Sequence, residues 1–377
     1  MKKIFIFKVG GFSRINEMLL PRFKDEFSDY KFEVIDVLED ILERNLALRA
    51  SLFSRACLRY AQHILGNRQN PRDFFLRFAD AWDAVRLWSL RNASPETTAF
   101  TFQTQSLFDA SHPDIPHFLY TDHTYLANAR YPNRAKPLPV TARWMEREDA
   151  LYKNANINFT SSNFAATSIS EDYGIPDDRV NCVFSGINIP MPVQVKSFGE
   201  KLKRILFVGV DWDRKGGPFL LKAFREVRQH IKDAELWIIG CNPDISEEGV
   251  KVYGRIPTSE VCRFYEEADV FCLPSKYEPS ATVLVEAAAY GLPVVATAVG
   301  GSVERVEDGK TGLLVPPSDE KALAAALLEI LNHPDKAASF GRAGRQMVES
   351  RFTWEHVARR MRVQITERIG NGLETDE

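Results

Sequence analysis

The sequence has few features of a metalloprotein, a disulfide-linked protein or a nucleic-acid-binding protein. Only five of its 377 residues are cysteine. They lack the paired spacing of metal ligands, and their odd number argues against a closed disulfide framework. The formal net charge of −3 gives no general attraction to nucleic acid. We therefore expect a globular protein of a reducing compartment, the cytosol, without a nucleic-acid partner.

Long apolar stretches are also absent from the sequence. No window approaches the roughly 18 uncharged apolar residues of a membrane-spanning helix, because even the apolar stretch after Pro279 contains Glu286 and Pro293. The opening "MKKIFIFKVGG" has two lysines before an apolar run, but Lys8 interrupts that run. Since a secretory signal needs at least about seven apolar residues, this segment predicts a first strand. Any membrane contact is expected to be peripheral.

The second half of the chain alternates short apolar runs with helix-length amphipathic stretches. Runs rich in β-branched residues that end near Gly or Pro are typical of strands buried on both faces, and the intervening lengths suit crossover helices. The candidate strands of this half are 204–209, 235–240, 250–254, 269–274, 293–297 and 311–316. The pattern predicts a parallel, doubly wound α/β domain over residues 200–355.

The first half of the chain repeats this pattern less regularly. Its best strand candidates are 4–11, 32–37, 117–123 and 157–162, with a long helical region over about 41–92. We predict a second Rossmann-like domain over residues 1–192, with the boundary in the proline-containing segment 188–201. Two doubly wound domains in tandem imply a cleft between them. Near the end of the chain, residues 352–369 have the pattern of an amphipathic helix.

Two glutamates flank the start of a predicted helix in "YEPSATVLVEAAAYGLPVVAT", residues 277–297. Glu278 lies in the loop that follows a predicted strand, and Glu286 lies about one turn inside the helix. Ligands of open α/β sheets bind at this edge, and N–H groups at a helix N-terminus suit a phosphate or diphosphate. The carboxylates could then accept hydrogen bonds from sugar and ribose hydroxyls. Taken alone, the pair is more typical of solvent-exposed charge at a helix end.

Three segments together resemble the C-terminal domain of retaining GT-B glycosyltransferases, glycosyltransferase family 4. They are the glutamate pair with its "EAAAYGLPVVAT" run, "FVGVDWDRKGG" (207–217) and "GGSVERVEDGKTGLLVPP" (300–317). The resemblance covers about residues 204–355, whereas the first half matches only in outline, through the Gly10-Gly11 loop and "TDHTY". It implies a GT-B fold whose terminal helix, 356–377, packs back on the first domain.

The resemblance also implies roles for the matching residues. Arg214 and Lys215 would hold the donor diphosphate and compensate the charge of the leaving group. Glu278 would bind the hydroxyls of the donor sugar, Glu286 those of the ribose, and His123 would contact the sugar. The remaining donor-binding positions are Gly10, Gly11, Arg255, Ile256, Ser280, Ala281, Thr282 and Val283, the last four through backbone N–H groups. Arg255 and Ile256 fall where the family contacts the base.

The sequence departs from the family pattern at two places in this site. Pro-Ser-Ala at 279–281 stands where the family commonly has Gly-Phe-Gly, and Val210 stands where it commonly has arginine. Arg214 could supply that charge from the next turn. For His123, a loop or core histidine without a ligand is an equally good interpretation.

The sequence "DWD" at 211–213 is similar to the metal-binding motif of the other large glycosyltransferase fold, in which Mg²⁺ or Mn²⁺ bridges the diphosphate. Because Arg214 and Lys215 follow directly and can neutralise phosphates, we interpret Asp211 and Asp213 as loop and cap residues. We therefore expect no metal, and no cofactor besides the donor substrate.

Residues 44–72 contain six arginines and no acidic residue, interleaved with Leu, Phe, Ile and Tyr. This pattern predicts a basic amphipathic helix of the kind that lies on an anionic membrane surface. A domain helix whose arginines face solvent or an acidic acceptor explains the pattern slightly better. A peripheral position on the inner face of the membrane, and a lipid-linked acceptor, are therefore hypotheses.

The function expected from the sequence is transfer of a sugar from a nucleoside diphosphate-sugar to an acceptor hydroxyl with retention of anomeric configuration. The acceptor would be a glycan, a lipid-linked group or a small molecule, in cell-surface polysaccharide or glycolipid synthesis. Two alternatives stay open: a non-catalytic GT-B subunit that binds or scaffolds, and another GT-B enzyme such as a nucleotide-sugar epimerase or a phosphorylase.

Overall fold

The computed structural model describes residues 2–12, 14–130 and 138–371. Contacts within the chain divide these residues into two compact units. The first unit contains the described residues up to 183 together with 358–371, and the second unit contains residues 184–357. The sequence placed the end of the first domain at 192, nine residues later.

Both units are built from parallel strands and helices that alternate along the chain. The strands are β1 (Lys3–Lys8), β2 (Lys31–Asp36), β3 (Thr98–Thr104), β4 (His117–Thr121), β5 (Ile157–Thr160), β6 (Val180–Cys182), β7 (Arg204–Val208), β8 (Glu235–Ile239), β9 (Val250–Gly254), β10 (Val270–Leu273), β11 (Val294–Thr297) and β12 (Gly312–Val315). The α-helices are α1 (Ile15–Glu26), α2 (Leu46–Arg59), α3 (Ala61–Gly66), α4 (Ala79–Asn92), α5 (Tyr125–Arg130), α6 (Ala142–Asn154), α7 (Asn163–Tyr173), α8 (Gly217–His230), α9 (Thr258–Glu267), α10 (Thr282–Ala289), α11 (Glu320–Leu331), α12 (Pro334–Arg351) and α13 (Trp354–Asn371). Short 3₁₀ or π segments span Val37–Leu42, Pro71–Arg77, Asp177–Arg179 and Gly300–Glu304.

The sheet of the first unit has the order β2-β1-β3-β4-β5-β6, with every described pairing parallel. The four predicted strands are confirmed as β1, β2, β4 and β5. The sequence analysis missed the short strand β6 and the central strand β3, in which apolar residues alternate with threonine and glutamine. Two of these buried polar side chains are hydrogen bonded: Thr101 to His117 Nδ1 at 2.7 Å, and Gln103 as a donor to the Phe108 carbonyl oxygen at 2.6 Å.

The sheet of the second unit has the order β12-β11-β10-β7-β8-β9, again with parallel pairings. All six predicted strands are confirmed. The order reverses between β7 and β10, which are neighbours in the sheet although 61 residues separate their last and first residues in the chain. Such a reversal leaves a crevice outside the carboxyl ends of the two strands, where α/β proteins bind ligands.

The segment that follows the first unit belongs to the core of the second. Ile187 and Ile189 are buried in that core, and the Ile187 N–H donates to the Phe352 carbonyl oxygen at 3.1 Å. These apolar contacts explain why the units divide at residue 183 rather than within 188–201.

The last helix, α13, makes contacts within the first unit through its arginines. Arg359 lies 3.7 Å from Glu26, Arg368 lies 3.2 Å from Asp178, and the Arg362 guanidinium covers the Phe27 ring at 5.4 Å. Residues 372–377 of the predicted helix 356–377 lie outside the described residues.

The basic stretch 44–72 is not the single helix that the sequence predicts. The helix breaks at Tyr60, whose buried ring stacks on Phe74 and whose hydroxyl donates to the Pro139 carbonyl oxygen at 3.0 Å. Within the described ranges, no helix combines the length and the hydropathy of a membrane-spanning segment.

Candidate functional site

The chain reversal in the second sheet brings two predicted site residues into contact. The loop after β7 carries Lys215 and the loop after β10 carries Glu278, and the Lys215 ammonium forms an ion pair with Glu278 Oε2. Only 10% of the lysine side chain and 6% of the glutamate side chain are exposed. Sequence reasoning placed both residues at strand ends, and the strand order explains why these two ends meet.

Additional donors surround the Glu278 carboxylate. The Ser275 hydroxyl donates to Oε2 at 3.3 Å, and the Arg214 guanidinium lies 3.7 Å from the same oxygen. Burial favours the protonated acid, but the charges of Lys215 and then Arg214 outweigh burial and hold the pKa of Glu278 below its usual range. The site therefore contains a fixed anion held by two cations, and a second carboxylate, that of Asp211, lies 3.5 Å from Arg214.

The start of α10 is joined to the same carboxylate. The Ala281 N–H donates to Glu278 Oε1 at 3.1 Å, so a ligand phosphate would have to replace this bond to meet that N–H group. Ala281 has a φ of 51°, a left-handed conformation that costs a non-glycine residue about 1–2 kcal/mol. Thr282 and Val283 follow in the first turn of α10. Ala281 thus places backbone strain beside the candidate anion site.

Arg214 is held by one hydrogen bond from its side chain and one from its backbone. Its guanidinium donates to the Tyr277 carbonyl oxygen at 3.0 Å, and its N–H donates to Asp211 Oδ1 at 3.0 Å. Asp211 thereby caps the turn, as the sequence analysis expected of these aspartates. In the part of the chain that the structure describes, no three His, Cys, Asp or Glu side chains cluster as metal ligands would.

Glu286 lies on α10 and is largely buried. Its Oε1 accepts a hydrogen bond from the Asn188 N–H at 3.2 Å, and its Oε2 accepts one from the Tyr265 hydroxyl at 3.4 Å. Burial, followed by the charge of Glu286, raises the pKa of Tyr265 well above its usual range. The carboxylate therefore lies in a polar niche of the second unit.

Arg255 and Ile256 follow β9, the edge strand of the second sheet. Arg255 is exposed and Ile256 packs against the core. Because β8 separates β9 from β7, these residues occupy the same sheet edge as Lys215 but lie two strands away.

Gly10 and Gly11 lie in the loop after β1 in the first unit. The Gly10 N–H donates to Asp36 Oδ2 at 3.0 Å, and the Asn16 amide donates to the Gly10 carbonyl oxygen at 2.8 Å. Burial works to raise the pKa of Asp36, but the Lys8 ammonium at 2.7 Å and the Gly10 N–H lower it further than burial raises it. This glycine loop is therefore anchored by a charged carboxylate that the sequence analysis did not identify.

His123 follows β4 at the carboxyl edge of the first sheet. Its Nδ1 lies 2.5 Å from Asp122 Oδ1, and the side chain is 37% exposed. The hydroxyls of Ser106 and Thr121 donate to the His123 carbonyl oxygen at 3.2 and 3.0 Å. The backbone of this histidine is thus held in place while its ring remains accessible.

Two further residues of the second-unit site were missed by the sequence analysis. Arg305, from "GGSVERVEDG", is buried and donates to Ser185 and, at 3.5 Å, to the Ser280 hydroxyl. A Cβ atom on Gly216 would lie only 1.7 Å from the Pro274 carbonyl oxygen. The arginine of this motif and a glycine next to Lys215 were the available signals, but their partners are distant in sequence.

The part of the chain that carries this site matches a known protein family. Residues 202–333 match the family model of the group 1 glycosyl transferases. The match includes Arg214, Lys215, Glu278 and Glu286, so the candidate site lies within the group 1 segment.

Curated relatives are similar over the same region. A GDP-mannose-dependent α-(1-6)-phosphatidylinositol monomannoside mannosyltransferase of Mycolicibacterium smegmatis is 36% identical over 159 residues, 37% of this chain and 42% of that protein. An α-maltose-1-phosphate synthase of the same organism is 34% identical over 215 residues, 48% of this chain and 55% of that protein. The chain thus spans about half the length of the relatives it matches.

Solved structures are similar over nearly the whole chain. Sucrose-phosphate synthase from Thermosynechococcus elongatus covers 99% of this chain and 100% of its own, with a TM-score of 0.67 and 19% identity. Anabaena HepE in complex with UDP and glucose covers 100% of both chains, with a TM-score of 0.61 and 15% identity. The predicted fold class is therefore confirmed: two Rossmann-like domains with parallel sheets, as in GT-B glycosyltransferase structures.

Proposed function

We propose that this chain is a retaining glycosyltransferase of family 4, which moves a sugar from a nucleoside diphosphate-sugar to an acceptor hydroxyl in cell-surface polysaccharide or glycolipid synthesis. The 36% identical relative is named as a GDP-mannose-dependent mannosyltransferase, and HepE contains UDP and glucose. The group 1 match over the site supports the same class of reaction.

The observation that carries the proposal is the buried Lys215–Glu278 pair beside the N-terminus of α10. A lysine, an arginine and a helix N-terminus at one sheet edge together favour a diphosphate and the negative charge that grows as it departs. In this proposal Lys215 and Arg214 contact the diphosphate, Glu278 accepts hydrogen bonds from sugar hydroxyls, and His123 contacts the sugar. Glu286 binds the ribose.

Nucleotide binding without metal is the first prediction of this function. One of UDP, GDP, ADP, TDP and CDP is expected to raise the melting temperature in the presence of EDTA, because Lys215 and Arg214 supply the charge that a metal would otherwise supply. Ligand at about 100 times its Kd adds roughly 2.7 kcal/mol to the free energy of unfolding. Thermal unfolding with each nucleotide measures the effect.

The sugar conjugates of the stabilising nucleotide are then tested for transfer, and NMR of the product's anomeric centre tests retention. A shift that requires Mg²⁺ would contradict the metal-independent mechanism. Donor conversion without an acceptor would favour the epimerase, and no shift with any nucleotide would favour a non-catalytic subunit.

We also propose that the protein binds peripherally to an anionic membrane through residues 44–72. Leu46, Leu58 and Leu65 are 74%, 83% and 79% exposed, an unusual density of exposed leucines for two short helices. Arg44, Arg55 and Arg72 pair with acidic residues of the first unit. Of the other arginines in the stretch, Arg49, Arg59 and Arg68 make no ion pair with a described residue. Apolar side chains beside uncompensated arginines match an anionic lipid surface.

Co-flotation with vesicles tests this surface. The double variant Leu58→Asp/Leu65→Asp is expected to float with anionic vesicles at least about tenfold less than the wild type, because two apolar contacts are replaced by repelled charges. Leu87→Asp, at an exposed leucine on α4, is the matched control and should float normally. If the double variant floated as much as the wild type, or if wild-type flotation did not depend on anionic lipid, this surface would be excluded as the membrane-binding site.

A further inference from the structure

Beneath the His123 loop lies a buried acid that the proposed chemistry does not use. Glu148, on α6, is only 1% exposed. Its Oε1 accepts a hydrogen bond from the Tyr125 N–H at 3.1 Å, and its Oε2 accepts one from the Tyr173 hydroxyl at 2.5 Å. Tyr125 opens the helix that begins two residues after His123.

Glu148 and Tyr173 together satisfy the start of that helix. While donating to Glu148, the Tyr173 hydroxyl accepts the Leu126 N–H at 3.3 Å. The N–H groups of Tyr125 and Leu126, the first two of α5, have no partner within the helix. The first donates to the carboxylate directly, and the second is linked to it through the Tyr173 hydroxyl. Because the backbone between Thr121 and Tyr125 is short, this anchor sets the position of His123 together with the Ser106 and Thr121 hydroxyls that hold its carbonyl oxygen.

Glu148 is also coupled to His123 through its charge. Burial raises the pKa of Glu148 to about 7, and Tyr173, the Tyr125 N–H and the charge of His123 oppose the rise. Among the described residues, Tyr152 on the same helix and Asp122 beside His123 also interact with this cluster. The carboxyl thus exchanges its proton near neutral pH, and its anion favours a protonated His123.

We propose that Glu148 is a positioning residue for His123. Glu148 holds the His123 loop through the first N–H groups of α5, and the charge of Glu148 adjusts how well that loop is ordered. This inference rests on the proposed role of His123 in contacting the donor sugar. Above neutral pH the anion makes charge-assisted hydrogen bonds to Tyr125 and Tyr173, and the loop is held most firmly. Below neutral pH these bonds weaken together.

We expect kcat/KM to depend on pH in the wild type, and we expect one substitution by an uncharged residue to abolish this dependence. In the wild type, kcat/KM for the donor rises through about pH 7 as Glu148 ionises. Glu148→Gln preserves the shape and one acceptor oxygen, but it removes the charge and places an NH2 donor where the other oxygen lies, as in the protonated acid, so the inflection disappears and kcat at pH 8 falls about fivefold with little change in KM. Glu146→Gln, at an exposed position of the same helix, is the matched control and keeps the wild-type profile.

Two measurements without substrate separate this inference from the proposed function. In the wild type, the midpoint of the His123 NMR titration, assigned with His123→Asn, is expected at higher pH than in Glu148→Gln. Folded Glu148 holds its proton above the ordinary carboxyl range, so ionisation of the unfolded chain lowers wild-type stability as pH rises from about 4.5 to about 7. The melting temperature of Glu148→Gln minus that of the wild type should therefore increase over that pH interval and stay at the higher value above it.

Tyr173→Phe gives an independent check, because it removes the hydroxyl that joins Leu126 to Glu148 while the ring remains packed on Tyr152. It should lower kcat and keep the pH inflection. An unchanged profile and an unchanged His123 titration in Glu148→Gln would overturn the inference even if the wild type transfers sugar. A wild type that keeps the His123 coupling but transfers no sugar would instead overturn the proposed function.

Discussion

Lys215→Ala is expected to lower turnover by more than about tenfold and to reduce the free energy of unfolding by about 3–5 kcal/mol. The stability loss arises because Glu278, buried and ionised, would lose its nearest cation while Arg214 remains 3.7 Å away. The turnover loss arises because the departing diphosphate would lose the same charge. Steady-state kinetics with the donor and denaturant unfolding measure the two effects.

An exposed lysine on the adjacent helix provides the control. Lys222 lies on α8, 3.7 Å from Glu320, and 55% of its side chain is exposed. Lys222→Ala should cost less than about 1 kcal/mol and leave turnover unchanged, because exposed ion pairs contribute little. Near-normal turnover of Lys215→Ala would show that the lysine does not act on the diphosphate.

A double substitution separates the two roles of Lys215. In Lys215→Met/Glu278→Gln both buried charges are gone, and such replacements are often neutral or stabilising. The double variant should therefore recover most of the stability but none of the turnover. Recovery of turnover together with stability would mean that the pair serves the fold alone.

Much of the second unit could be predicted from its sequence because its strands are buried on both faces. A strand such as β10, Val270–Leu273, is wholly buried and therefore wholly apolar, which gives the run its signal. In contrast, β3 buries Thr101, Gln103 and Thr104, polar residues that hide the pattern, and the first two are hydrogen bonded to His117 and to the Phe108 carbonyl oxygen. Polar residues satisfied by tertiary contacts carry no periodic signal, and so the central strand of the first sheet was missed.

The candidate site was predictable only in part for a related reason. The resemblance identified Lys215 and Glu278 separately, but their ion pair depends on the strand order, which places β7 beside β10. Glu148 gave no signal, since a single glutamate in an amphipathic helix is ordinarily exposed. Its partner Tyr173 lies on another helix, and only the fold brings the two together.

Gly216→Ala is expected to destabilise the protein by about 2–5 kcal/mol and to abolish nucleotide binding. Gly216 has a φ of 77°, which costs alanine about 1–2 kcal/mol, and the added Cβ would lie 1.7 Å from the Pro274 carbonyl oxygen, which adds about 1–3 kcal/mol. The only relief is to move the β7 loop from the β10 loop, and this movement would separate Lys215 from Glu278. Denaturant unfolding and the nucleotide-induced melting shift measure both losses.

Gly309→Ala separates the cost of placing alanine in the left-handed conformation from the cost of the steric contact with Pro274. Gly309 has a φ of 71°, close to that of Gly216, but nothing lies within 4 Å of an added Cβ. This variant should lose only the conformational cost of about 1–2 kcal/mol and bind nucleotide normally. If both variants lost the same stability, the contact with Pro274 would contribute nothing. If Gly216→Ala bound nucleotide as the wild type does, the close approach of the two loops would not be what forms the donor site.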